Sequence, residues 1–181
     1  DDWVNNTVPT GLTQELEGYR DSALRLQWLY EPNKDFSALA NVHARDFSGS
    51  ARLFRANIIQ PGTNELVPGF DIKQISTDGM NESELQNYGG SLRLRWNLGN
   101  MALYSITGYE TVEFYGRGDI DGGFGASYAP PFGPGFIPFS AESADGLPDH
   151  SQVTQELRLE SRGDGPLDWQ AGVFYYNEDI T

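Results

Sequence analysis

Apolar residues recur at every second position in several stretches of the chain, the spacing of a strand with one apolar face. Leu24, Leu26, Trp28 and Tyr30 alternate with Ala23, Arg25, Gln27 and Leu29, and the aromatic residues gather toward one end. The next residues, Glu31 to Asp35, read EPNKD, in which Pro32 and Asn33 favour a tight turn. The chain then returns from Phe36 to Arg45, with Ala38, Ala40, Val42 and Ala44 opposed to Asn41, His43 and Arg45. This pattern predicts a hairpin.

A second hairpin is read from SLRLRWNL, where Leu92, Leu94, Trp96 and Leu98 share one face and Arg93, Arg95 and Asn97 the other. Gly99-Asn100 can turn the chain, and the strand back covers about Met101 to Phe114, with Tyr104 and Ile106 assigned to the apolar face. A third hairpin runs from Gln152 to Glu160, turns through SRGDGPLD and returns through Trp169, Ala171, Val173 and Tyr175. The expected fold is all-β, with about six antiparallel strands in three hairpins.

Between the hairpins lie two segments, about 47–89 and 115–150, rich in Gly, Pro, Asp, Asn and aromatic residues and far longer than the usual loop of a compact domain. Short turns therefore alternate with long connections, which places all the long ones at one end of the sheet. Outer-membrane barrels have this layout, with short periplasmic turns and long external loops. The two segments are expected to be external loops, and the residues before about Arg20 to end another.

Composition agrees with strands and turns. Hydrophobic residues make up 38% of the 181 and aromatic residues 13%, beside 21 glycines and 10 prolines, so Tyr and Phe replace the Leu-rich core of a helical protein. No window approaches the roughly 20 apolar residues of a membrane helix, but a barrel strand crosses in roughly 10 tilted, alternating residues. The formal net charge of −14 makes a nucleic-acid partner unexpected. The absence of cysteine removes disulfides, thiolate metal sites and Cys nucleophiles together.

The mid-strand arginines Arg25, Arg93, Arg95 and Arg158 alternate with apolar residues. Exposure to lipid would cost roughly 2 to 4 kcal/mol each, so in a membrane barrel they would face a wet lumen. A soluble β-sandwich makes the same alternation with the faces exchanged. Aromatic residues near strand ends, at Trp28, Tyr30, Trp96, Tyr109, Trp169 and Tyr175, favour the girdles of a membrane interface.

ALRLQWLYEPNKDFSALANVHARD, ARLFRANIIQPG, SLRLRWNLGNMALYSITGYE, SQVTQELRLES and LDWQAGVFYYNED resemble consecutive barrel strands of TonB-dependent outer-membrane receptors, especially the sphingomonad-like set. The most specific pieces are Ser105 to Tyr109, Gln155 to Leu159 and Trp169 to Tyr176, and the likeness runs from about Ser22 onward. The resemblance implies a barrel of the 22-strand type, plugged by a separate N-terminal domain. Such a protein sits in the outer membrane of a Gram-negative bacterium and takes up a scarce ligand, such as a siderophore, haem or an oligosaccharide. Its partners would be outer-membrane lipid, the TonB energy-transducing complex through the plug, and the ligand. No plug motif, energy-coupling box or C-terminal barrel aromatic is found, so residues 1–181 are expected to be an internal part of the barrel domain. The alternative is a soluble, secreted β-rich module that binds carbohydrate.

Candidate chemistry is sparse. His43 and His150 lack a nucleophile or acid at motif spacing, so no catalytic residue is assigned, an enzyme is not expected and no cofactor is implied. The Tyr128, Phe132, Phe136 and Phe139 aromatics stand among prolines in SYAPPFGPGFIPFSAES and offer flat apolar area to a ligand; packing within the loop is the competing reading. Arg52 and Arg55 in ARLFRAN could bind an anionic group or pair with nearby acids. The acidic turns holding Asp78, Asn81, Asp119 and Asp121 have the oxygen-rich character that calcium requires, but not the spacing of an EF-hand, and such residues are common in solvated turns.

Overall fold

The computed structural model describes residues 3–8, 15–128, 133, 135–163 and 165–181. Among them the secondary structure is all strand: β1 (Val4–Asn6), β2 (Glu15–Leu16), β3 (Tyr19–Asn33), β4 (Phe36–Gly49), β5 (Gln74–Ile75), β6 (Glu82–Asn97), β7 (Met101–Asp119), β8 (Ser127–Tyr128), β9 (Gly135–Phe136), β10 (Glu142–Ser161) and β11 (Gln170–Ile180). The six long strands form one antiparallel sheet in the order β11-β10-β7-β6-β4-β3, and the sheet is not closed. Each long strand pairs with the long strand before and after it in sequence, so the three expected hairpins are present.

The chain divides into two compact units. Unit 1 comprises Asp1–Asp21, Phe47–Glu84 and Phe114–Gly146; unit 2 comprises Ser22–Asp46, Leu85–Glu113 and Leu147–Thr181. The divisions fall inside β3, β4, β6, β7 and β10.

Unit 2 holds the three tight hairpin turns. Asn33 Oδ1 accepts from the Asp35 amide at 2.9 Å in the first, and the Leu98 amide donates to the Met101 carbonyl at 2.7 Å across the second. Gly99 has a φ of +78° there, which a residue with a Cβ adopts only with strain. In the third, Ser161 and Trp169 face each other through two hydrogen bonds of 2.9 Å.

Strand register fixes which side chains share a face, because directly paired residues point the same way. Between β10 and β11, Leu157 lies opposite Val173 and Leu159 opposite Ala171, whereas Arg158 pairs with Gly172 and Gln152 with Glu178. The guanidinium of Arg158 stands 5.0 Å from the centre of the Tyr104 ring and that of Arg93 stands 5.7 Å from it, reaching from the strands on either side of β7. The two arginines therefore share one face, as the alternation predicts. Tyr104 is on that face too, which corrects its assignment to the apolar side and, by parity, that of Ile106. A tyrosine ring is amphipathic, and stacking between two cations suits its negative π-face better than contact with Leu or Val.

The other face carries Leu92, Leu94, Trp96, Leu157 and Val173, and it is largely uncovered. Leu26 is 58% exposed, Trp28 71% and Val173 68%, and every residue of β3 and β11 is classed as exposed. Among the described residues Ala102 is the one buried apolar residue of unit 2. On this same face Gln155, between Val153 and Leu157, is fully engaged: Thr107 Oγ1 donates to its Oε1 at 2.5 Å, and its Nε2 donates to Ser105 Oγ at 3.0 Å.

Unit 1 has a small core of its own. β1 pairs antiparallel with β2 and parallel with β5, and Val4, Leu16 and Ile75 form a buried cluster against which Leu53 packs. The strands run further than their apolar alternation: β6 begins at Glu82, β7 ends at Asp119 and β10 begins at Glu142, so the connections are shorter than 47–89 and 115–150. The added residues, ESELQ, GRGD and ESADGLPDHS, are mostly polar, with Leu85 and Leu147 isolated among them, and carry no period-two signal.

Candidate functional site

Unit 1 gathers the polar residues most able to do chemistry. Asp78 precedes β6, Asp119 ends β7, and Asp121 follows it in the turn that leads to Gly122 and Gly123. Oxygens of the three carboxylates lie within 4.8 Å of one another, and Asp119 and Asp121 are buried. Thr77 Oγ1 donates to Asp119 Oδ2 at 2.5 Å, with the Gly79 amide on the same oxygen at 3.3 Å. Asn81 Oδ1 accepts from the Asp119 amide at 3.3 Å, and Asp121 Oδ1 accepts from the Gly123 amide at 3.0 Å. All four residues read from the sequence as possible oxygen ligands, Asp78, Asn81, Asp119 and Asp121, are thus brought together.

Burial pushes the Asp78 and Asp121 carboxyls above the usual carboxylate range, and the neighbouring Asp119 raises them further. Asp78 Oδ1 is buried and has no hydrogen-bond partner. A proton or a hard cation would each relieve the repulsion, since such a cation takes six to eight oxygen ligands. Next to this cluster Glu142 accepts from the Met80 amide at 2.8 Å and from Arg117 Nε at 2.6 Å. Thr77, Arg117 and Glu142 were not singled out from sequence. Thr77 and Asp119 are 42 residues apart, and no local pattern links them.

The aromatic candidates separate. Tyr128 anchors its loop, its hydroxyl donating to the Asp121 carbonyl, and pairs with Gly135 in the β8–β9 hairpin. Phe136 and Phe139 are exposed, and Phe132 lies outside the described residues. Arg52 is exposed, whereas Arg55 lines a cavity of about 240 Å³ with Ile58, Phe70, Gln74 and Phe124.

In unit 2 the polar face carries a separate set. His43 Nε2 and Glu110 Oε2 are 2.9 Å apart, and His150 Nε2 and Glu178 Oε1 are 2.7 Å apart. Neither histidine faces a Ser, Thr or Cys nucleophile in these contacts. Arg158 lies 3.4 Å from Glu156 and 3.1 Å from Glu160, so its charge is met on its own strand. Arg95 Nε is buried without a partner, and Arg25 is exposed. No family model, curated protein or solved structure matches the chain.

Proposed function

We propose that this chain is part of the wall and loops of an outer-membrane β-barrel of the TonB-dependent receptor kind. In this reading unit 2 is membrane wall, unit 1 belongs to the ligand-selecting outer region, and the chain performs no covalent chemistry. The observation that carries it is the pair of unlike faces in unit 2. One bears uncovered Leu, Trp and Val, and the other bears Arg93, Arg158, His43 and Glu110.

A soluble carbohydrate-binding sandwich would bury the first face against a second sheet. An extended apolar face left open marks a membrane or an interface. Strand lengths support the wall: β6 has 16 residues, β7 19 and β10 20, against the roughly 10 that a tilted crossing requires. The Gln155–Thr107–Ser105 network fits as well, because a polar group on a lipid-facing surface must find its hydrogen bonds within the protein. An open sheet edge is not tolerated in lipid, so in this reading the sheet is completed by further strands.

Fractionation of cells expressing the whole protein tests the reading. It should pellet with outer membranes and be released only by detergent. A protein that stays in the aqueous fraction as a monomer and unfolds cooperatively without detergent contradicts it. Uptake of candidate siderophores, haem or oligosaccharides, compared with a deletion strain, then identifies the cargo.

A further inference from the structure

The cavity at Arg55 lies within unit 1, beside the core that Ile75 shares with Val4 and Leu16. Its walls come from separate stretches of chain held by backbone hydrogen bonds: the Ala56 amide donates to the Gly122 carbonyl at 2.9 Å, and the Phe124 amide to the Ser76 carbonyl at 2.8 Å. Gly122 has a φ of +91°, and a Cβ there would meet the Ala56 nitrogen at 2.5 Å. The close approach of these two stretches therefore requires glycine.

Arg55 is oriented but not satisfied. Its Nη2 donates to the Ile72 carbonyl at 3.0 Å, which fixes the guanidinium plane, while its Nε is buried and has no acceptor. A guanidinium carries five N–H donors and cannot shed its charge, so a buried donor without an acceptor is costly. Asp71 also lines the cavity, but its Oδ1 accepts from the Lys73 amide at 2.9 Å and the residue is exposed to solvent. Phe70 and Phe124 supply apolar area beside the arginine, and Phe124 is 63% exposed.

We propose that this cavity is a subsite for a small aromatic carboxylate, its anion accepting from Arg55 and its ring lying against Phe70 and Phe124. A half-buried arginine with a buried, unpaired Nε favours a planar acceptor such as a carboxylate. At about 240 Å³ the space lies below the roughly 300 to 1,000 Å³ of drug-sized sites, which limits the occupant to about one ring. The net charge of −14 opposes long-range attraction of any anion, so affinity must come from the local arginine and the apolar contact together. The assignment gives a chemical class to the ligand of the receptor proposed above and rests on that reading for its biological use, though not for its binding chemistry.

Calorimetric titration of the whole protein with benzoate, and with benzamide as the neutral isostere, provides the test. Benzoate should bind at least tenfold more tightly than benzamide. Arg55→Gln should weaken benzoate at least tenfold, Arg55→Lys should recover part of the loss, and Arg52→Gln should leave it unchanged. Phe124→Ala should weaken benzoate severalfold with no change in thermal melting, because that ring is largely exposed; this variant decides the matter if Arg55→Gln disturbs folding. Absence of benzoate binding at millimolar concentration, equal binding of benzamide, or full affinity in both Arg55→Gln and Phe124→Ala overturns the subsite. Failure of the barrel reading is seen separately, as a protein that is soluble without detergent whether or not it binds benzoate.

Discussion

Leu16 and Leu26 stand ten positions apart and meet opposite surroundings. Leu16, in unit 1, is 1% exposed and packs with Val4 and Ile75. Leu26, in unit 2, is 58% exposed on a strand whose residues are all exposed. The same side chain is core in one unit and surface in the other. Unit 1 thus organises itself as water-soluble proteins do, with a small dry cluster and buried polar groups tied to backbone. Unit 2 instead leaves Leu26, Trp28 and Val173 exposed on the face opposite Arg93 and Arg158, the face that the proposed reading turns toward lipid.

The largest effect expected from breaking this contrast comes from truncating the two leucines. Leu16→Ala leaves a cavity in a packed cluster and should cost about 2 to 5 kcal/mol. The loss should appear as faster hydrogen exchange at the Asn5 and Thr7 amides, which donate to the Lys73 and Ile75 carbonyls. Leu26→Ala shortens an exposed side chain and leaves no cavity, so those amides should exchange as before. Equal effects at both positions would erase the distinction between the units.

Adding charge probes the other side of the comparison. Leu94→Arg places a guanidinium on the uncovered face and should lower the stability of the folded protein in phospholipid vesicles by about 2 to 4 kcal/mol if the residue lies near the bilayer centre. Thr154→Arg, on the face shared by Arg158, should cost under about 1 kcal/mol. Guanidinium-induced unfolding monitored by tryptophan fluorescence compares the two.

Protonation of the acidic cluster should act on unit 1. The folded pKa values of Asp78 and Asp121 are raised, so the stability they contribute is fully present below their unfolded value of 3.8 and is lost as pH rises through the folded values. Asp78→Asn should therefore protect the Asn5 and Thr7 amides at pH 7 in the presence of a chelator. The gain should vanish as pH falls toward 4. A gain that is independent of pH would mean the carboxylates do not repel one another in the folded state.

A small effect is expected at Tyr104. Tyr104→Leu removes the ring between Arg93 and Arg158 and should cost about 0.5 to 1 kcal/mol in the same vesicle unfolding measurement. Thr107→Val, which withdraws one hydrogen bond from Gln155, should cost about 0.5 to 1.5 kcal/mol.

Sequence legibility divides along the same line. The hairpins of unit 2 were readable because Leu92, Leu94, Trp96 and Leu98 repeat with the strand period and polar turns separate the runs. In MALYSITGYE both faces carry mixed residues, and there parity failed for Tyr104, whose position is set by two arginines on neighbouring strands. The β1–β5 pairing was invisible, since Thr7 and Ile75 are 68 residues apart and each strand is only two or three residues long. The acidic turns could be recognised by composition, but the meeting of Asp78 with Asp119 and Asp121 depends on where β6 begins and β7 ends, within polar sequence that has no period. Arg55 stood out as a cation, whereas its cavity depends on Gly122 and Phe124 from a distant turn.

The most direct test places nitroxide labels on single cysteines at positions 92 to 96 of the whole protein in phospholipid vesicles; residues 1–181 hold no competing cysteine, and any elsewhere in the protein is first changed to serine. The membrane-wall account predicts that labels replacing Leu92, Leu94 and Trp96 collide with lipid-dissolved oxygen, whereas labels replacing Arg93 and Arg95 collide with a water-soluble nickel chelate. Uniform access of the chelate to all five positions would contradict it.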